Sequence, residues 1–253
     1  MRHRPRKRFG QHFLHDPGVL ARIVDAIDPK AGDVLVEIGP GEGALTRRLL
    51  DRAAQVVAIE IDRDLADALA AEFPADRLVL HRADALAFDF GALPQGARIV
   101  GNLPYNISTP ILFRLAECGE RFRDLHFMLQ LEVVDRMVAV HSTPAYGRLS
   151  VMLQARFAMQ KLFRVAAGAF RPPPSVESAV VRMTPLAGVD LPPALPDIAR
   201  RAFSARRKTL RNALGLAPAQ FEALGLDPGL RPENLPPQAY VRIARMVAGT
   251  EAQ

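Results

Sequence analysis

The chain has one cysteine, no tryptophan and three tyrosines among 253 residues. A single thiol, Cys118, excludes an intrachain disulfide and suits a cytoplasmic setting. It falls in the apolar stretch PILFRLAECG, where packing accounts for it. No apolar run approaches the roughly 18 residues that a membrane helix needs, so no membrane partner is expected. The opening residues, MRHRPRKRFGQHFL, carry the charges of a signal peptide with no apolar segment behind them, which argues against secretion. There is no G-x-S-x-G hydrolase elbow and no Walker phosphate loop. Lysine is scarce, with four against 29 arginines.

What is present describes a globular protein with a basic bias. Hydrophobic residues make up 49% and charged residues 24% of the chain, so material for a core is ample. The length suits one full domain and a smaller one. Net charge is +6. An arginine- and alanine-rich chain is also what a GC-rich genome encodes, so distribution informs better than the total. Five Arg or Lys fall in RHRPRKR (2–8) and six in RRAFSARRKTLR (200–211), while the chain between is mixed in sign. Two such clusters suit a polyanion; a solvated tail is an equally good reading of the first.

From 19 to 130 the pattern alternates between strands and helices. DVLVEIG (33–39), QVVAIEID (55–62), RLVLH (77–81), ARIVGN (97–102) and DLHFMLQ (124–130) read as strands. ALTRRLLDRA (44–53), RDLADALAAEF (63–73), STPILFRLAECG (108–119) and EVVDRMVAV (132–140) read as helices. This implies βαβ units and a mostly parallel sheet. Beyond 147, KLFRVAAGAF (161–170) and SAVVRMTPL (178–186) read as two antiparallel strands joined by the stiff turn RPPPS. PLAGVDLPPALP (185–196) reads as a linker. Helical spacing follows in DIARRAFSARRKTLRNAL (197–214), PAQFEAL (218–224) and PQAYVRIARMV (237–247).

EIGPGEGAL follows the first strand and opens a helix. Gly39 and Gly41 permit positive φ and a close backbone approach to a ligand, and the spacing Gly39–Pro40–Gly41–Glu42–Gly43–Ala44 fits G-x-G-x-x-G/A. Glu60 ends the next strand about 20 residues on, where a ribose-binding carboxylate belongs. These features fit an adenosine-type cofactor, either a nicotinamide dinucleotide or S-adenosylmethionine. Glu37, just before the loop, would repel a pyrophosphate but suits an ammonium and a sulfonium. Asp84, after the third strand, could accept from an adenine amine or cap a helix.

Asn102-Leu103-Pro104-Tyr105 follows the fourth strand, at the sheet end where ligands of parallel sheets bind. An aromatic amine is a poor nucleophile because its lone pair is delocalised. Two acceptors aimed at its N–H bonds, the Asn102 side chain and the Leu103 carbonyl held by Pro104, would direct that lone pair at a sulfonium methyl. Tyr105 offers a face for the base. Read alone, the tetrapeptide is also an ordinary turn. His12-x-x-His15-Asp16 hints at a metal site, but its spacing is poor and no cysteine assists, so no metal is expected. FRPPPS reads as an internal turn rather than an adaptor-domain ligand.

Taken in order, RKRFGQHFL, VEIGPGEGALT, NLPYNISTP, MLQLEVVDRM, YGRLSVM, FRPPPSVESAVVR and RRKTLRNAL resemble the ribosomal RNA adenine N6-dimethyltransferases of the small-subunit type, over nearly the whole chain. The resemblance implies a Rossmann-like class I methyltransferase sheet of seven mostly parallel strands over 1–186, and a small all-α C-terminal domain over 187–253. It implies S-adenosylmethionine bound at His12, Leu14, Gly39, Gly41, Glu60, Asp84 and Asn102. It also implies catalysis at Asn102, Leu103, Pro104 and Tyr105, with Phe170 stacking on the other face of the target base. His12 departs from the pattern, since many relatives have Asn there. Arg4, Arg6, Lys7, Arg8, Arg206, Arg207, Lys208 and Arg211 would meet phosphates of 16S ribosomal RNA in a maturing 30S subunit, and a monomer is expected. A large-subunit methyltransferase, a non-enzymatic ribosome-binding factor and a dehydrogenase are the alternatives.

Overall fold

The computed structural model describes residues 11–251. It divides into two compact units. Among the described residues, one comprises those up to Val134 together with Met159–Pro185; the other comprises Asp135–Ala158 and those from Leu186 onward.

The first unit is built from alternating strands and helices: β1 (Phe13–Leu14), α1 (Pro17–Ile27), β2 (Leu35–Ile38), α2 (Ala44–Leu50), β3 (Val56–Glu60), α3 (Arg63–Glu72), β4 (Leu78–Arg82), β5 (Ala97–Asn102), α4 (Ser108–Glu117) and β6 (Phe122–Gln130). After α5 (Leu131–Met137) and α6 (Arg148–Gln154), the chain returns through β7 (Phe157–Val165), β8 (Phe170–Arg171) and β9 (Ser178–Pro185). Seven strands form one sheet in the order β4-β3-β2-β5-β6-β9-β7. β2 runs parallel to β3 and β5, β4 parallel to β3, and β6 parallel to β5, while β9 runs antiparallel to β6. The strand order reverses at β2, which opens a crevice between the carboxyl ends of β2 and β5.

Local sequence explains the elements. All four residues of β2, LVEI, are buried, as a central parallel strand covered on both faces requires. Asp16 caps α1 by accepting from the Val19 N–H at 2.8 Å, and Pro17 opens the helix. Leu20, Ile23, Val24 and Ile27 recur along α1 and share one apolar cluster with Leu35, Val56, Val100, Met128 and Val180 of the sheet. At the amino-terminal ends of β5 and β6, Arg98 forms a bidentate pair with Asp124 (2.9 Å twice), binds Asp33 (2.6 Å) and donates to the Ile27 carbonyl. Arg98 and Asp124 are both buried.

The second unit is helical around its own core. α6, α7 (Leu195–Ser204), α8 (Leu210–Leu214), α9 (Pro218–Leu224) and α10 (Pro237–Glu251) contribute to it. Tyr146, Val151, Ile198, Leu210, Phe221 and Tyr240 belong to one buried cluster. The Tyr146 hydroxyl donates to Leu235 O at 2.8 Å, and that of Tyr240 to Pro232 O at 2.6 Å.

Three expectations are corrected. A single cut at 186 misses residues 135–158, which join the helical unit because Tyr146, Val151 and Ala155 bury their side chains in its cluster. KLFRVAAGAF is not one strand: β7 ends at Val165, a turn of 3-10 helix covers Ala167–Ala169, and Phe170–Arg171 leaves the main sheet to pair antiparallel with β1. The helical spacing of 197–214 is interrupted between Ser204 and Leu210, where Thr209 is extended (φ −68°, ψ 160°) and the chain turns.

Candidate active site

The crevice beside β2 contains a cavity of about 200 Å³. Its walls come from the ends of β2 to β5, the loop Gly39–Glu42, and the segment Gln11–Leu14. The expected residues His12, Leu14, Gly39, Gly41, Glu60, Asp84, Asn102, Leu103, Pro104 and Tyr105 all line it. Gly39 and Gly41 have φ of +68° and +57°, so conformation favours glycine at both, and space does so at Gly41. A Cβ on Gly41 would press the Phe13 ring at 3.0 Å, and one on Gly39 would point across the crevice to within 3.9 Å of Asn102 O.

Carboxylates dominate the electrostatics. Glu37 is 2% exposed and accepts from the Thr46 hydroxyl at 2.6 Å. Burial, with a contribution from Glu60, pushes its pKa up to about 7 against the opposing Thr46 bond. Burial also raises Glu60, although its two oxygens accept from the backbone N–H groups of Asp62 (2.8 Å) and Gly41 (3.1 Å). Asp84 is exposed and lines the cavity; one oxygen accepts from the Leu86 N–H at 2.8 Å, which closes a turn at 85–87 and caps no helix. Among the described residues, no cation is paired with Glu37. That donor set fits a cofactor bearing an ammonium and a sulfonium and disfavours a pyrophosphate.

The NLPY tetrapeptide is anchored at several points. Asn102 Nδ2 donates to His12 O at 2.9 Å, which leaves Oδ1 as the acceptor end of the carboxamide. Leu103 is buried and its N–H donates to Met128 O at 3.2 Å. Pro104 O accepts from Ile107, and Tyr105 O from the Ser108 hydroxyl, both at 3.2 Å. The Tyr105 hydroxyl pairs with Ser178 Oγ at 2.7 Å. The His12 ring stacks on Tyr105, with centroids 5.5 Å apart and planes 26° apart, while its Nδ1–H donates to Pro172 O at 2.8 Å.

Phe170 differs from expectation. Opposite Leu14 in the β1–β8 ladder it is 2% exposed, belongs to the apolar core cluster, and is not part of the cavity wall. An apolar side chain at that ladder position is buried by the pairing that draws Gln11–Leu14 over the crevice. Of the three side chains behind the metal hint, Asp16 caps α1 and His12 is bound to Pro172 O. The basic residues at 4, 6, 7 and 8 lie outside the described residues. Arg206, Arg207 and Lys208 lie in the turn between α7 and α8, and Arg211 on α8. Arg207, Lys208 and Arg211 are exposed, while Arg206 is half-buried and bonds Pro144 O at 3.1 Å beside Glu233 at 3.6 Å.

Sequence reasoning missed Ser178, Ile61 and His126. Ser178 is 73 residues from its partner Tyr105, and nothing local announces the bond. Ile61 lines the cavity with 45% of its surface exposed, and its place directly after Glu60 was a usable signal. His126 is a buried cavity residue of β6 whose Nδ1 is 3.6 Å from Asp124; its strand position reads as ordinary core.

Comparison with known proteins accords with this site. The family model described as ribosomal RNA adenine dimethylase matches residues 2–248. The Ribosomal RNA small subunit methyltransferase A of Chromobacterium violaceum is 56% identical over 250 residues, covering 96% of this chain and 95% of the relative. That of Thiobacillus denitrificans is 54% identical over 252 residues, covering 97% and 99%. Among solved structures, a dimethyladenosine transferase from Plasmodium falciparum superposes with TM-score 0.84 at 25% identity (95% and 98% covered). The 23S rRNA methyltransferase ErmE does so with TM-score 0.70 at 27% identity (93% and 99% covered). With a class I methyltransferase sheet, an acidic crevice and an NLPY segment at its mouth, the chain belongs to the ribosomal RNA adenine dimethylase family.

Proposed function

We propose that the protein methylates N6 of two adjacent adenosines near the 3′ end of 16S ribosomal RNA to N6,N6-dimethyladenosine, acting in the cytoplasm as a monomer on a maturing 30S subunit. The observation that carries the reading is the orientation of Asn102. Its NH2 group is committed to His12 O, so its carbonyl oxygen is the end offered to a ligand.

S-adenosylmethionine, held by His12, Leu14, Gly39, Gly41, Glu60, Asp84 and Asn102, supplies an electrophilic methyl group on a positively charged sulfur. The chain's own contribution is alignment. Asn102 Oδ1 and Leu103 O accept from the two N–H groups of the adenine amine in the first transfer, and one of them accepts from the remaining N–H in the second, which localises the nitrogen lone pair. Pro104 stiffens the peptide that carries Leu103 O, and Tyr105 supports the base. Glu37 and Glu60 provide negative potential under a cationic cofactor. No strong base is needed, because the alkylated nitrogen is acidic and releases its proton to water. Preorganised acceptors and proximity therefore account for the rate. Arg207, Lys208 and Arg211 bind RNA phosphates and supply affinity without base identity.

The test is transfer of tritiated methyl from S-adenosylmethionine to undermethylated small subunits, followed by nucleoside mapping. Dimethyladenosine in small-subunit RNA is expected, and label confined to large subunits would instead indicate the ErmE-like reaction. Asn102→Ala should keep subunit binding and lose methylation by at least about 100-fold. Undiminished methylation would overturn the role given to the carboxamide.

A further inference from the structure

We propose that Ser178 is a positioning residue for adenine methylation. Through its hydroxyl pair with Tyr105 it fixes the ring that supports the target base, so position 105 needs a tyrosine and not merely an aromatic. This rests on the methyl-transfer reading above.

Tyr105 lies in the turn after β5, where the backbone alone does not hold a side chain. The ring is only half-buried. Ser178 is its opposite: the first residue of β9, fully buried, and paired with Gln130 at one end of a six-residue antiparallel register with β6. The preceding residue adds another tie, since Glu177 O accepts from the Leu131 N–H at 2.9 Å. The Ser178 hydroxyl is therefore a fixed point belonging to the rigid sheet. At 2.7 Å it pins the far tip of the tyrosine, while Ser108 holds the backbone end through Tyr105 O. With the tip and backbone anchored, the ring retains little freedom to tilt, and a tilted ring would carry the adenine amine away from Asn102 Oδ1 and Leu103 O. Stacking itself uses only the ring face, which phenylalanine supplies equally. What phenylalanine lacks is the link to the sheet.

The competing explanation is that the pair satisfies two buried hydroxyls and nothing more. The two explanations separate kinetically. Wild type, Ser178→Ala, Tyr105→Phe and the double variant would be compared on undermethylated small subunits for kcat and KM. Cofactor Kd and melting temperature would be measured alongside. A further readout is the fluorescence of small-subunit RNA carrying 2-aminopurine at the target position, which stacking quenches.

Positioning predicts that each single variant loses about tenfold in kcat, the scale of a small misplacement of a reacting group. KM and cofactor Kd should stay within about twofold. The 2-aminopurine quench should weaken, and the double variant should be no slower than either single one, because both act through the same bond. Wild-type kcat in Ser178→Ala or in Tyr105→Phe would overturn the proposal, as would multiplicative losses in the double variant. If Ser178→Ala does not fold, Tyr105→Phe removes the same bond from the half-buried side and decides alone. Loss of methylation in Asn102→Ala with full rate in the Ser178 and Tyr105 variants would leave the site's function standing and remove only this role.

Discussion

β5 carries Arg98 near one end and Asn102 at the other, and the two ends of the sheet treat buried carboxylates in opposite ways. At the amino-terminal end, Asp33 and Asp124 are buried against the Arg98 guanidinium, with Arg123 adding a 3.0 Å contact to Asp33. Burial works to raise Asp124, but His126 and Arg98 outweigh it and hold the pKa at about 2. At the carboxyl-terminal end, Glu37 is equally buried, a hydroxyl is its partner, and its pKa moves to about 7. The depressed carboxylate is complete within the fold. The raised one has only a hydroxyl partner, and under the function proposed above a cationic cofactor would supply the missing charge. Within a single sheet, the sign of the shift separates architecture from binding site.

Breaking the closed end should have the largest effect. Arg98→Met leaves Asp124 buried without its guanidinium partner and Asp33 with Arg123 alone, and should cost about 3–5 kcal/mol in urea unfolding. Replacing Asp124 with Asn in the same chain should recover part of that loss. A smaller effect is expected at the open end. Glu37→Gln should weaken S-adenosylmethionine binding about tenfold by calorimetry while leaving the cofactor-free protein as stable or more stable at pH 8. Equal weakening of stability there would mean that Glu37 belongs with the closed end after all.

The two ends should also titrate in opposite directions. Glu37 has a folded pKa above its unfolded value of 4.5, so its contribution to stability is complete below pH 4.5 and is lost as pH rises through about 7. Asp124 has a folded pKa below 3.8, so its contribution is complete above pH 3.8 and is lost as pH falls through about 2. Melting scans from pH 5 to 8 should show a decline that Glu37→Gln flattens, with cofactor affinity rising over the same interval. Exposed charges provide the control. Replacing Arg207, Lys208 and Arg211 with Gln should leave melting almost unchanged. The salt slope of subunit binding should fall by about two to three, which titrations at several salt concentrations would register.

The closed end was invisible in the sequence. Arg98 in ARIVGN reads as a polar interruption of a strand, and only the β5–β6 register sets it beside Asp124. The open end was more legible because its parts are contiguous: Gly39–Glu42 and Asn102–Tyr105 each follow a strand, and the parallel fold places both at the same edge. Phe170 and Ser178 show where contiguity stops helping. Both flank the same proline turn, yet pairing with β1 buries the first in the core, while pairing with β6 brings the second to Tyr105. The helical unit was legible as helices but not in extent, since residues 135–158 join it through buried side chains that no linker composition marks.

His12 and Pro172, joined by a hydrogen bond at the end of the β1–β8 pairing, are 160 residues apart in the chain. At 5–20 residues per second, the intervening polypeptide takes roughly 10–30 s to synthesise. During that interval a nascent chain that has already emitted its glycine loop and NLPY segment still lacks the strand against which β1 closes. The wall that Gln11–Leu14 adds to the cavity is thus tied down by residues synthesised well after the glycine loop and the NLPY segment, so that wall is the last part of the crevice to gain its native partner.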